Sequence, residues 1–282
     1  MGQDVYTISQ PDIPKAGIVV NSAHSGRYYP DAFIQSSQLS VLALRSSEDA
    51  FVDQLFSAAP ALGIPMLAAI YPRAYVDLNR ASDELDPALI HGLSHDGLNP
   101  RVASGLGVIP RVVAEGRVIR RGKMNLINAK TRLALYYWPY HQQLSHMMDA
   151  AHAHFGEAIM LDCHSMPSHA GTSNAIGYDV ILGDRFGASA SGLHVDVLES
   201  LFADAGFRVG RNAPFAGAYI AQRYGQPAQG RNVIQIEINR GLYLDEHMLK
   251  VSAGFEKLRA ALSGIMAQFI QHASPSVGLA AE

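Results

Sequence analysis

Ala158-Ile-Met-Leu-Asp-Cys-His164 is an apolar run that closes on an acid, a thiol and an imidazole. Its length and its lack of polar alternation fit a strand buried on both faces, as in the interior of a parallel sheet. Two further runs share the form, Gly17-Ile-Val-Val-Asn-Ser-Ala-His24 and Val233-Ile-Gln-Ile-Glu237. In an open α/β sheet the carboxyl ends of parallel strands line the ligand crevice, so residues far apart in the chain can meet there. Two imidazoles and a carboxylate delivered in this way suit a zinc hydrolase. Such a centre takes about three protein ligands, keeps a position open for water, and needs a nearby carboxylate to accept a proton.

The elements between these runs predict the layers around the sheet. Helices are expected from about Ser46 to Leu62, where Ser46 or Ser47 would cap ahead of Glu48 and Asp49, from about Asn128 to Phe155, from Ala190 to Ala205, and from Asp245 to about His272. Pro65 to Tyr71 and Asp179 to Gly183 read as further strands, and the scattered Gly and Pro at about 83–125 as a long loop-rich excursion. Strands alternating with helices favour a three-layer α/β/α fold with a central parallel or mixed sheet. Site candidates come from both halves of the 282 residues and no Pro/Ser-rich linker divides them, so one domain over 1–282 is expected. The Ser-Pro-Ser and Gly-Leu-Ala-Ala tail reads as frayed.

Composition excludes several functions. With 48% hydrophobic and 17% charged residues the chain can bury a large core, and 22 basic against 25 acidic residues give a formal charge of −3. Without a basic run, nucleic acid is not an expected partner. The start, Met1-Gly-Gln-Asp-Val-Tyr, carries no cationic segment ahead of an apolar stretch, and no apolar run nears the roughly 18 residues of a membrane span. The expected location is the cytoplasm, in keeping with Cys163 as the single cysteine.

Each candidate residue also has a plain structural alternative. His24 precedes Ser25-Gly26, where the backbone can turn, and is either a ligand or a histidine satisfied by backbone bonds. Strand alternation puts Asp162 on the face of His164, to orient the ring or to rest buried among backbone N–H groups. Of Glu48 and Asp49, one is a candidate third ligand while the other caps a helix. Glu237, inside an apolar strand, is costly unless catalytic or paired, for instance with Arg240. In Tyr71-Pro-Arg-Ala-Tyr-Val-Asp-Leu-Asn-Arg80, the Asn79-Arg80 pair can hold an acidic substrate and Arg73 can face a developing oxyanion, unless Asp77 simply pairs with either arginine. His91-Gly-Leu-Ser-His95 lacks the Glu of a zinc helix and contains a helix-breaking Gly, and His152 and His154 read as surface or packing residues.

In order, Asn21-Ser-Ala-His-Ser-Gly26, Tyr71 through Arg80, Leu161-Asp-Cys-His-Ser165, Asn212-Ala-Pro-Phe-Ala-Gly217 and Gln235-Ile-Glu-Ile-Asn-Arg240 resemble the N-formylglutamate amidohydrolase family over about residues 18 to 248. More distantly they are similar to zinc carboxypeptidases and aspartoacylases. The resemblance implies a phosphorylase/hydrolase-like fold and one zinc per chain on His24, Asp49 and His164. Glu48 stays a competitor, because Ser47-Glu-Asp-Ala50 departs from the family's Asp-Thr-Asp-Trp. It implies Glu237 and Arg73 in catalysis, with Asn79, Arg80, Asn212, Tyr219 and Arg240 toward the substrate. The implied reaction is hydrolysis of an N-acyl amino acid, first of all N-formyl-L-glutamate as in histidine breakdown, by a monomer or small homo-oligomer. The competing readings are a zinc amidase for another acyl-amino acid or peptide, and a non-catalytic protein that binds an acidic metabolite.

Overall fold

A computed structural model of the chain describes residues 4–93, 99–170 and 177–273. His95 and the tail from residue 274 onward lie outside them. The three apolar runs become strands β2 (Ile18–Ser22), β4 (Ala158–Met166) and β7 (Arg231–Asn239), joined by β1 (Tyr6–Ser9), β3 (Met66–Ala69), β5 (Val180–Gly183) and β6 (Val209–Arg211). Together they form a seven-stranded sheet in the order β1-β3-β2-β4-β7-β5-β6. From β3 through β2 and β4 to β7 the strands are parallel; β1 is antiparallel to β3, and β5 is antiparallel to β7 but parallel to β6.

Helices cover both faces. The helix Phe255–Ala273 buries Phe255, Leu258, Leu262, Ile265 and Phe269, a helical spacing that lays one apolar stripe on the sheet. With Gly192–Asp204 it packs against Ile18, Val20, Leu161 and Ile236. On the other face, Leu126–Arg132 runs through a π-type turn at Leu133–Tyr137 into Trp138–Phe155. The wider turn falls just before Pro139, which has no N–H to offer an ordinary helical bond. Tyr137, Tyr140, Leu144 and Met148 from this helix, with Ile220 from Tyr219–Tyr224, meet Val19, Met160 and Val233. No helix among the described residues is long and apolar enough to cross a membrane.

Three local expectations need correction. Instead of one helix from Ser46 to Leu62 there are two short pieces, Val52–Leu55 and a 3₁₀ turn at Pro60–Leu62, after a separate helix Val41–Arg45. Phe51 is left-handed (φ 63°), and the Asp49 N–H donates to the His24 carbonyl at 3.0 Å instead of to a helical partner. The closing helix starts at Phe255, not Asp245, because a small hairpin of Leu244–Asp245 and Lys250–Val251 intervenes. The described residues of the 83–125 stretch are short of regular structure yet contribute to the core: Leu89, Ile90, Val108, Ile109 and Met124 join the apolar cluster on the Trp138–Phe155 side of the sheet.

Candidate metal centre and active site

Register assembles the site. His164 is paired with Glu237 and Asp162 with Gln235 across β4 and β7, while Asn21 of β2 is paired with Asp162. Paired residues of neighbouring strands share a face, so these polar side chains continue the side of the sheet that carries Val19, Met160 and Val233 toward its carboxyl end. Past β2 the chain turns at His24-Ser25-Gly26. A Cβ on Gly26 would stand 2.1 Å from the Tyr71 carbonyl oxygen, so only glycine lets this turn lie against the Tyr71–Arg80 segment.

His24, Asp49 and His164, all buried, place their donor atoms within 4.8 Å of one another. His24 Nε2 lies 2.7 Å from Asp77 Oδ1, which turns Nδ1 toward Asp49 Oδ2 at 3.5 Å, where it has no hydrogen-bond partner. His164 Nδ1 faces the same Asp49 oxygen at 2.9 Å. Its Nε2 has Asn79 Nδ2 and Asp162 Oδ2 each at 3.2 Å, and the latter is a second buried atom without a hydrogen-bond partner. A neutral His24 ring with its N–H on Nε2, toward Asp77, would aim its Nδ1 lone pair at Asp49, where His164 Nδ1 also points. That arrangement accounts for the orphaned Nδ1 of His24 and is the one a metal ion requires. The donor set of two imidazoles and one carboxylate therefore fits a divalent metal.

Charge around the cluster is consistent with this fit. Burial works against ionisation of Asp49, but His164 and His24 outweigh it and hold the carboxyl well below its usual range. Burial likewise opposes a charge on His164, yet Asp162 and Asp49 raise it well above the ordinary imidazole value. Burial is again outweighed at Asp77, by Arg73, His24 and Arg80, and it ionises far below the usual value. The surroundings thus favour a positive charge where the two rings meet Asp49. Asp77 is the member that sequence reasoning undervalued, as an ion-pair partner only; it bridges His24 and Arg73, whose Nη2 lies 2.9 Å from Oδ2. Asp77→Asn should weaken metal affinity by about 10- to 100-fold by releasing the His24 ring. Competition with a chelator would measure this, and unchanged affinity would remove Asp77 from that role.

The other candidates divide. His24, Asp49, Arg73, His164, Glu237 and Arg240 line one cavity of about 650 Å³, which Asn79 and Arg80 also border. Burial, and secondarily Asp49, push Glu237 up to about 7 against the pull of His164 and Arg73, and its Oε1 accepts from Gln235 Nε2 at 2.9 Å. Arg240 is committed to the centre's frame, with Nη2 donating to Asp49 Oδ1 and Nε to Ser165 Oγ, both at 3.0 Å. Asn79 is similarly engaged, since its Oδ1 accepts from the Ile220 N–H at 2.8 Å. Arg80 anchors Nη1 on the Asn79 carbonyl and Nε on that of Leu106.

Glu48 points elsewhere: its carboxylate accepts from the Tyr29 hydroxyl at 2.7 Å and from Arg45 Nε at 3.0 Å. Asn212 does not border this cavity. Left-handed at φ 60°, it uses Oδ1 to accept from the N–H groups of Asp184 and Phe186, and so builds a turn. Tyr219 lines a neighbouring cavity of about 500 Å³.

Residues 16–244 match the family model described as N-formylglutamate amidohydrolase. The chain is 31% identical to an N-formylglutamate deformylase of Pseudomonas aeruginosa over 203 residues, 70% of this chain and 71% of the relative. To the N-formylglutamate deformylase of Pseudomonas putida it is 28% identical over 233 residues, 81% and 82% of the two chains. Among solved structures, that of an N-formylglutamate amidohydrolase from Ralstonia eutropha JMP134 superposes with a TM-score of 0.88 at 33% identity, covering 95% of this chain and 98% of the other.

Proposed function

Because the chain belongs to the N-formylglutamate amidohydrolase family, we propose that it hydrolyses N-formyl-L-glutamate to formate and L-glutamate, with one zinc ion held by His24, Asp49 and His164. The observation that carries this is the orphaned Nδ1 of His24, turned toward Asp49 and His164 in a cavity that also holds Glu237. Zinc bound there supplies the Lewis acidity that makes water a competent nucleophile at neutral pH. The side chains do the rest. Gln235 occupies Oε1 of Glu237, which leaves Oε2 to take a proton and pass it to the departing amide nitrogen. Arg73, steadied by Asp77, borders the cavity where the formyl oxygen gathers charge.

Arg80 is suited to the substrate's α-carboxylate, because two backbone carbonyls fix its plane and the guanidinium still borders the cavity. Arg80→Lys replaces a planar fork by a point charge, so KM should rise about tenfold with kcat little changed. An Arg80→Lys variant with native KM would place the α-carboxylate elsewhere. The site draws on residues from His24 to Arg240, which supports one catalytic domain over 1–282.

The deciding experiment measures formate release from N-formyl-L-glutamate by the metal-loaded protein, then after chelation, then after zinc is returned. Release that chelation abolishes and zinc restores is expected. No release from the loaded protein would overturn the assignment.

A further inference from the structure

Glutamate carries a second carboxylate, and the cations nearest the metal donors are already committed. Arg240 is spent on Asp49 and Ser165, and Arg73 on Asp77. The neighbouring cavity of about 500 Å³ shares Asn79, Arg80, Arg101, Gly217 and Ala218 with the first, so a substrate whose α-carboxylate rests on Arg80 can extend its side chain into it. Arg101 and Arg185 also line this second chamber, together with the acids Asp83 and Glu84. Glu84 is engaged by Asn99 Nδ2 at 2.7 Å and by the Ala81 N–H at 3.2 Å.

Of the two arginines, Arg185 is the one the fold is built to hold. Arg185 and Phe186 are both left-handed, at φ 54° and φ 56°, a conformation that costs free energy at non-glycine residues unless the surroundings enforce it. Here they do. The Arg185 N–H donates to the Ala216 carbonyl at 2.7 Å, and Asn212 Oδ1 accepts from both Asp184 and Phe186. The side chain then passes Gly217, where a Cβ would lie 3.1 Å from Arg185 Cγ, and Nη1 donates to the Gly217 carbonyl at 3.3 Å. Arg101, by contrast, is exposed on the four-residue helix Pro100–Ala103. The Asn212–Gly217 segment thereby acquires a role, since Asn212 and Ala216 set the arginine that enters the second chamber and Gly217 borders both.

We propose that Arg185 is the specificity-determining residue of this enzyme, a fork that receives the side-chain carboxylate of the substrate's amino acid in the chamber beyond Arg80. This rests on the deformylase reading above. The test compares kcat/KM for N-formyl-L-glutamate and for the isosteric N-formyl-L-glutamine in the native enzyme and in Arg185→Ala, Arg185→Gln, Arg185→Lys and Arg101→Ala. Removing the guanidinium should lower kcat/KM on formylglutamate about 10- to 100-fold, through KM, and leave formylglutamine unchanged. Arg185→Lys should recover part of the loss, and Arg185→Gln carries the comparison should the Ala variant fail to fold. Calorimetry of L-glutamate and L-glutamine, as the released amino acid and its neutral analogue, should show the same selective loss without turnover.

Equal losses on both substrates would make Arg185 a prop for the Asn212–Gly217 segment, and a selective loss in Arg101→Ala alone would move the role there. Either result overturns the proposal. A native enzyme that releases formate equally well from both substrates also overturns it, yet leaves the deformylase reading intact. Failure to release formate from either removes that reading and this one with it.

Discussion

His24→Ala and His164→Ala are each expected to purify with less than about a tenth of the native zinc content. Either change removes one of three donors that stand within 4.8 Å of one another. Two remaining ligands cannot match the affinity of three, and the loss is compounded because the partners of the missing ring lose their purpose. At His24 the buried Asp77 carboxylate loses an imidazole 2.7 Å away; at His164, Asp49 and Asp162 both lose theirs. Metal analysis of the dialysed proteins reads the outcome directly, and circular dichroism separates metal loss from unfolding. Native zinc content in both folded variants would mean that the metal is held elsewhere.

Glu237→Gln should keep the metal and lower turnover by roughly 10²-fold or more. The amide preserves the shape of the carboxylate and can still accept from Gln235 Nε2, so the frame around it survives. Only the capacity to take a proton disappears. The unaltered group is well placed for proton transfer, since burial pushes it up to about 7, close to the pH at which it would have to accept and release a proton. A Gln variant that retains near-native turnover would make Glu237 a structural carboxylate.

The strand ends were legible because an apolar run that stops at His or Glu carries its own signal: the run specifies burial and the last residue specifies something that burial alone would not tolerate. Direction of pairing carries no such local mark. Nothing in Val180-Ile-Leu-Gly183 distinguishes an antiparallel partner of β7 from one more parallel strand, and the short edge strands Tyr6–Ser9 and Val209–Arg211 have too few residues to show a period. Ser46-Ser-Glu-Asp49 resembles a helix start because caps and first-turn acids are made of these residue types. The chain instead sends Asp49 inward to His164 and Glu48 to Tyr29 and Arg45.

Polar residues in the singled-out motifs were easy to find and hard to assign. Asn212 and Arg240 have the chemistry to touch a substrate, but each spends its hydrogen bonds on the frame, one on a left-handed turn and the other on Asp49. Sequence shows which groups a side chain carries and not which neighbours arrive first. Asp77 illustrates the converse, since its value lies in reaching Arg73 and His24 at once.

The separations that make the site hard to read also bear on its assembly. Asp49 meets His164 across 115 positions, Asn21 meets Asp162 across 141, and Arg240 meets Asp49 across 191. Contacts of such range form slowly, because the loop they close must be ordered before the contact rewards it. During synthesis the first half of the chain can display His24 and Asp49, but His164 waits for β4 to dock beside β2, and the arginine that grips Asp49 emerges later still. Capture of a metal by these three residues would therefore be an event of the finished sheet, and a chain halted before residue 158 would have no centre to fill.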